Sequence, residues 1–128
     1  MAILNYRLKI TQTVGGEKTV TEAAAKGQTV DGALILDYSL DGAANKLFLD
    51  KKQVIQRRMG EIRLHIIFRE GEVTKSRLSD GVNDGMFETY TRRLDVNFSG
   101  NDCTAHIEYS FGQGGEIIFI DVSAVAVG

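Results

Sequence analysis

Apolar and polar residues alternate with a period of two along most of this chain. In the segment Cys103–Phe111, every odd position is apolar or small and every even position is polar. Successive side chains of a β-strand point to opposite faces, so this pattern predicts a strand with one face in a core and the other in water. No stretch of the chain shows a helical period instead. The sequence therefore predicts an all-β fold.

Turn residues divide the alternating segments into about eight to ten short strands. The pairs Gly15-Gly16, Asp31-Gly32 and Asp41-Gly42 suit the tight turns of β-hairpins. The range 79–85 is the longest turn-rich stretch, and we expect a mobile loop there. Residues 21–26 have a helix-friendly composition but are too few to hold a helix, so we interpret them as strand.

The parity of the apolar positions changes once, in the second half of the chain. Phe87 and Thr89 follow odd numbering, whereas Leu94 and Val96 follow even numbering. An extra residue near 90–93 would explain the change, because a β-bulge inserts one residue into a strand and bends it. Small barrels need such bends.

Two other strands have distinctive compositions. The range 73–78 is short and charged, which is typical of an edge strand. The range 116–127 is apolar on both faces, so we expect it to be covered on both sides or to lie centrally in the sheet. Together the elements predict a single small antiparallel β-barrel spanning residues 1–128, with a two-sheet sandwich as the alternative. The absence of proline and the 14 glycines suit such strands and turns.

The single cysteine excludes an internal disulfide. Cys103 lies on the apolar side of its strand, which indicates a buried and unreactive thiol. The chain has neither a secretory signal pattern nor an apolar run of roughly 18 residues. We therefore expect a cytoplasmic protein with no membrane association.

Charge is distributed unevenly although the net charge is only −2. All 15 lysines and arginines precede Leu94, and six of them lie in Lys51–Arg69 against Glu61 alone. Such a cluster either attracts an anion or pairs across the sheet with the acidic C-terminal strands. Nucleic-acid binding is the weaker hypothesis, because Phe68 is the one aromatic residue of that segment and the pI is about 5.7.

No combination of residues predicts catalysis. His65 and His106 alternate onto polar strand faces, so we interpret both as solvated side chains. They predict no metal site, which would need three or four ligands. The glycine-rich range 112–115 leads into a strand rather than a helix and is interpreted as a turn, not a phosphate loop. We expect no cofactor and no enzymatic activity.

Several short patterns stand in a characteristic order along nearly the whole chain. They are Tyr38, Arg58-Met59-Gly60, Gly85, Thr91-x-x-Leu94 and Ile107-x-Tyr109. With them, the chain resembles the YwiB-like family of small bacterial proteins of unknown function. The resemblance implies a calycin-like, lipocalin-like β-barrel and brings no established activity. The chain departs from the family's Thr-Pro-Tyr-Gly-like loop, which Asn83-Asp84-Gly85-Met86 replaces, and has Leu40 where an acidic residue is common.

Arg58 is the residue with the strongest candidate role. Arg57 and Arg58 are adjacent, so one of them points into the barrel, where an arginine is costly unless it is paired. Its partner is either a carboxylate (Glu61, Asp37 or a C-terminal acid) or an anionic ligand. For the second alternative, the candidate ligand-binding residues are Arg58, Tyr38, Tyr109 and Phe68.

The sequence thus leaves two functional hypotheses. The first is non-enzymatic binding of a small apolar or amphipathic ligand, with or without a negative charge, inside the barrel. The alternative is a protein–protein interaction or regulatory scaffold that acts through its exposed sheet and loops, including as a homodimer.

Overall fold

The computed structural model describes residues 2–112 and 114–128, and these form ten antiparallel strands without a helix. No segment of this described part could therefore cross a membrane as a helix. The strands are β1 (Leu4–Val14), β2 (Glu17–Val30), β3 (Ala33–Leu40), β4 (Ala43–Leu49), β5 (Val54–Met59), β6 (Arg63–Phe68), β7 (Val73–Ser79), β8 (Asp84–Ser99), β9 (Asp102–Phe111) and β10 (Ile118–Val127).

The ten strands close into one barrel. Each strand pairs with its neighbours in the sequence, and β1 also pairs with β10 along ten residue pairs, from Asn5↔Val127 to Val14↔Ile118. The predicted antiparallel barrel is confirmed, and the two-sheet sandwich is excluded. The prediction of an edge strand at 73–78 is wrong, because β7 pairs with β6 on one side and β8 on the other.

Three hairpin turns have the geometry that their residues predict. Both central residues of Gly15-Gly16, Asp31-Gly32 and Asp41-Gly42 have positive φ, between 50° and 83°. This is the backbone of the primed turns that match the twist of paired strands. Residues 21–26 lie within β2, which confirms their interpretation as strand.

The predicted β-bulge is present in β8. Thr91 pairs with Tyr109 and Arg93 with Glu108, so Arg92 is the extra residue. The backbone N–H of Leu94, just beyond the bulge, donates to the Glu70 carboxylate at 3.0 Å. The bulge lets both halves of the long strand β8 keep their apolar side chains inside the barrel.

The prediction of a loop over 79–85 needs correction. The connection between β7 and β8 contains only residues 80–83, and the Asp80 carboxylate accepts the N–H groups of Val82 at 2.9 Å and Asn83 at 2.6 Å. The strand β10 lies between β1 and β9, which confirms the expected central position, while its outer face is not covered, since Val125 is exposed. Within the predicted turn 112–115, Gln113 lies outside the described residues.

The core fills one end of the barrel, which we call the closed end. The turns Asp31-Gly32 and Gly100-Asn101 lie there, and the Tyr6 hydroxyl donates to the Asn101 carbonyl at 2.8 Å. The largest fully buried apolar side chains of this region are Leu8, Leu34, Leu36, Leu49, Val54 and Phe68. The opposite end, which carries the Gly15-Gly16, Asp41-Gly42 and 80–83 turns, is called the open end below.

Candidate functional site

Several side chains that point into the barrel near the open end are solvent-exposed. By register Leu78 and Phe111 face inward, yet they are 44% and 52% exposed. An inward side chain of a small barrel is normally covered by its neighbours. The barrel interior is therefore accessible from this end.

A cavity of about 430 Å³ occupies the open end. Its volume lies within the roughly 300–1,000 Å³ that is usual for small-molecule sites. Six of its eight lining residues are apolar or aromatic: Gln12, Gln56, Leu64, Ile66, Leu78, Phe87, Tyr109 and Phe111. The cavity is thus mainly hydrophobic, with two amides as polar groups.

A chain of aromatic contacts runs from the core to the mouth of this cavity. The ring centroids of Phe68 and Tyr109 are 4.8 Å apart, those of Tyr109 and Phe111 5.6 Å, and those of Phe111 and Phe87 5.2 Å. All three pairs have the edge-to-face geometry that aromatic rings favour. Burial raises the pKa of Tyr109 to about 12, so its hydroxyl is neutral in the physiological range. Tyr109 lines the cavity, and Phe68 contacts Tyr109 from the side of the core.

Tyr38 and Arg58, the other two candidate residues, lie outside the cavity lining. Both face inward, because Asn45 pairs with Tyr38 on one side and Arg58 on the other. Tyr38 is buried, which raises its pKa, and the nearby positive charge of Arg58 opposes part of this rise. Arg58 is half-buried at the rim and pairs in register with Leu64, which lines the cavity.

Arg58 forms no salt bridge within the part of the chain that the structure describes, so the carboxylate alternative is wrong. Neither Glu61 nor a C-terminal carboxylate forms an ion pair with it, and Asp37 points outward and pairs with Lys46 at 3.6 Å. Of the two explanations for an inward arginine, the carboxylate partner is thereby removed.

A second concavity, of about 370 Å³, lies mostly on the outer face of β5, β6 and β7 near the same end. We call it the basic cleft. Its lining contains four arginines and one acidic residue: Arg57, Arg58, Met59, Arg63, Leu64, His65, Arg77, Ser79 and Asp84. It therefore has an excess of three positive charges even with His65 neutral.

The predicted pairing of the basic segment with the acidic C-terminal strands is wrong. The barrel places β9 three strands away from β6, and several C-terminal acids have other partners. Glu108 accepts from Arg92 Nε at 2.9 Å, while His106 contacts Glu108 and Asp121 at 2.7 Å each. In the described residues, the ion pairs of these acids leave the basic cleft uncompensated from that side.

His106 points outward as predicted, but it is not simply solvated. Its Nδ1 lies 2.7 Å from Asp121 Oδ1 and its Nε2 lies 2.7 Å from Glu108 Oε2. These two carboxylates raise the pKa of His106, and His106 and Arg92 lower the pKa of Glu108. Both ring nitrogens are occupied, and no cluster of three metal-ligating side chains occurs among the residues described.

Cys103 is 1% exposed, and burial raises its pKa to about 11. The thiol is therefore protonated at neutral pH and unreactive, which confirms its prediction from the strand pattern.

Sequence reasoning missed most of the cavity residues, and one signal could have found them. Gln12 and Gln56 stand at positions where the alternation of β1 and β5 requires an apolar residue. A polar side chain at such a position indicates an interior that is open to water. Thr89 and Thr91 also place polar groups on the inner face, but both are fully buried. Thr89 Oγ1 bonds Ser76 Oγ at 2.8 Å, and Thr91 Oγ1 has no protein partner in the described chain.

Comparison with known proteins supports the fold and leaves the activity open. A family model described as a domain of unknown function, DUF1934, matches residues 6–121. The chain is similar in structure to the YwiB protein of Bacillus subtilis, with a TM-score of 0.77 and 13% identity over 98% of this chain and 92% of that one. No protein of curated function gives a significant match.

Proposed function

The chain belongs to the DUF1934 family, whose function is unknown, and from this premise we propose that its barrel binds the apolar part of a small amphipathic anion. The observation that carries the proposal is the accessible, mainly hydrophobic cavity of about 430 Å³ at the open end. The calycin-like classification that the resemblance implies belongs to the same proposal, since barrels of that kind hold one small ligand.

Exposed apolar side chains supply the driving force. Leu78 and Phe111 are about half exposed although they face inward, and a ligand in the cavity would remove them from water. Full burial of one such side chain contributes about 1.5–3 kcal/mol. Partial coverage of several side chains is therefore enough for a measurable affinity.

Arg58 supports a negative charge on the ligand. It lies at the rim beside Leu64 and forms no ion pair with a described carboxylate. A guanidinium and a carboxylate form strong, charge-assisted hydrogen bonds. In this proposal the ligand's head group binds Arg58 at the rim, near Tyr38, and its apolar body contacts Ile66 and Tyr109.

The proposal concerns binding without chemical conversion. Cys103 is buried and protonated, and both nitrogens of His106 are engaged by carboxylates. These residues are therefore unsuited to nucleophilic or acid–base roles in the cavity.

Isothermal titration calorimetry with decanoate tests the proposal. We expect saturable binding of one decanoate per chain, and Leu78→Asp should weaken it roughly tenfold or more, because it places a negative charge in the lining. Val73→Asp is the matched control: Val73 lies on the same strand and is equally exposed at 44%, but it points outward. Its affinity should stay within about twofold of the parent.

Arg58→Gln separates the charge from the apolar contact. It should weaken the binding of decanoate and leave the binding of uncharged decanol unchanged. The proposal is contradicted if neither compound binds the parent protein and native mass spectrometry of the purified protein finds no bound small molecule.

A homodimer is the second candidate, and a separate observation favours it. Val82 and Met86 are 90% and 66% exposed beside the open end, where Leu78 and Phe111 are also exposed, and a group of exposed apolar side chains is typical of an interaction surface. A dimer through this end would cover the cavity. Light scattering should then give a mass that rises with concentration, and Met86→Asp should return it to that of a monomer.

A further inference from the structure

Basic side chains form a row across the outer face of four strands. Lys46, Arg57, His65 and Arg77 lie directly opposite one another in register on β4, β5, β6 and β7. Adjacent strands are about 4.8 Å apart, and like charges that face each other across strands are destabilising. Arg63 lies on the same face, two residues before His65. The facing charges of Lys46 and Arg57 are therefore an unfavourable arrangement, and Arg57 belongs to the basic cleft.

The protein compensates this row only in part. Asp37 pairs with Lys46 at 3.6 Å and Asp84 with Arg77 at 3.7 Å, and all four side chains are at least half exposed. Arg57 and Arg63 have no carboxylate partner among the described residues. The whole chain has a net charge of −2, so the excess of positive charge at the basic cleft is a local feature and not a consequence of composition.

We propose that the basic cleft is a binding site for a phosphate-type oxyanion. Arginine presents several N–H donors in a planar fork that fits phosphate oxygens in pairs, and the cleft has Arg57, Arg63 and Arg77 on three adjacent strands. Its volume of about 370 Å³ accommodates a phosphate or pyrophosphate group. Arg57, Arg63 and Arg77 lie on the outer face of the barrel wall, although the cleft shares Leu64 with the cavity lining and Arg58 with its rim. The proposal does not rest on the ligand proposed for the cavity.

His65 gives this site a spectroscopic reporter. The groups that face it are Arg57 from β5, Arg77 from β7 and Arg63 on its own strand, with Asp84 beside Arg77. Burial and the charge of Arg57 lower the pKa of His65 in the free protein. A bound anion would oppose this effect, because a negative charge favours the protonated ring.

A small phosphate fits the cleft better than a nucleic-acid strand does. Strand binding without sequence preference depends on aromatic side chains on which bases stack. Phe68 is the nearest aromatic residue in this segment, and it is 1% exposed inside the barrel. The described lining of the cleft contains arginines and no Phe, Tyr or Trp.

An NMR titration of the His65 ring with pyrophosphate tests the proposal at low ionic strength. We expect saturable shifts and a raised pKa of His65. Arg57→Gln and Arg63→Gln should each weaken binding roughly tenfold, since each removes a charged donor. Asp84→Asn should strengthen it, because it removes the one acidic group of the cleft. Arg7→Gln, an exposed arginine on β1 outside the cleft, is the control and should leave the affinity unchanged.

Vesicles distinguish a soluble phosphate from a lipid head group. Phosphatidylcholine vesicles with phosphatidic acid expose a terminal phosphate, and binding to them that pyrophosphate displaces would identify a lipid as the source. Binding of pyrophosphate without vesicle binding would identify a soluble ligand. The proposal is overturned if neither probe binds, if Arg57→Gln and Arg63→Gln bind as the parent does, or if an oligothymidylate binds more tightly than pyrophosphate.

Discussion

His65 and His106 both point outward from the barrel, on β6 and β9, but their surroundings shift their pKa values in opposite directions. Asp121 and Glu108 raise the pKa of His106, whereas burial and Arg57 lower that of His65. A raised pKa stabilises the folded state below the unfolded value of 6.5, and this contribution disappears as the pH rises through the folded value. A lowered pKa does the reverse, and stability decreases as the pH falls below 6.5.

Replacement of each histidine by glutamine should reveal these opposite signs. Relative to the parent, His106→Gln should lose about 1 kcal/mol of unfolding free energy at pH 5.5, and this loss should shrink as the pH rises above about 6.5. His65→Gln should gain relative to the parent as the pH falls below about 6.5. Urea unfolding at several pH values measures both. Parallel profiles for the two variants would contradict the assigned environments.

At the scale of the strand, the bulge of β8 controls which side chains enter the barrel. Deletion of Arg92 should abolish cooperative folding, because a shift of one residue would turn one half of β8 inside out. Arg92→Ala keeps the residue count and loses only the contacts with Glu108, so it should fold with reduced stability. Near-UV circular dichroism and urea unfolding compare the two. A folded deletion variant would show that the bulge is not needed for the register.

The sequence predicted strands well because alternation is a local property. The even numbering of Leu94 and Val96 indicates the bulge in β8, and the alternation around Cys103 indicates which face of β9 is buried. Neither pattern requires knowing which strands pair. Pairing between distant strands is not predictable in this way. The charged composition of 73–78 therefore predicts an edge strand although β7 has two partners, and the carboxylates predicted to pair with Arg58 lie elsewhere. Gly27 shows the same limit: it is a glycine within β2 because the Tyr6 ring would lie 2.7 Å from an added Cβ.

The candidate sites were predicted less well than the strands. Phe68 and Tyr109 belong to one aromatic chain, and Arg58 is at the rim, but the cavity lining depends on which strand ends are left uncovered. Leu64, Leu78 and Phe87 look like ordinary core residues in the sequence. Only closure of the barrel determines that one end is filled and the other is open.

At the scale of the whole molecule, the seam between β1 and β10 brings the two ends of the fold together. Asn5 pairs with Val127, so a short glycine–serine linker could join residues 2 and 128. We expect a circular permutant with new ends between Asp31 and Gly32 to keep the barrel, because that turn is exposed and an added Cβ at Gly32 would meet no atom within 4 Å. Two-dimensional amide NMR spectra show whether the permutant keeps the fold of the parent. A control permutant with new ends between Arg92 and Arg93 should not fold, and a dispersed spectrum from it would contradict the expectation.

The same seam bears on how the protein is made. Of the ten strands, β1 leaves the ribosome first, and it cannot complete its pairing until β10 has also emerged. During synthesis, the growing sheet therefore has two unpaired margins, and either could join a neighbouring nascent chain. Closure must wait for translation of β10, and until then the chain remains vulnerable to mispairing.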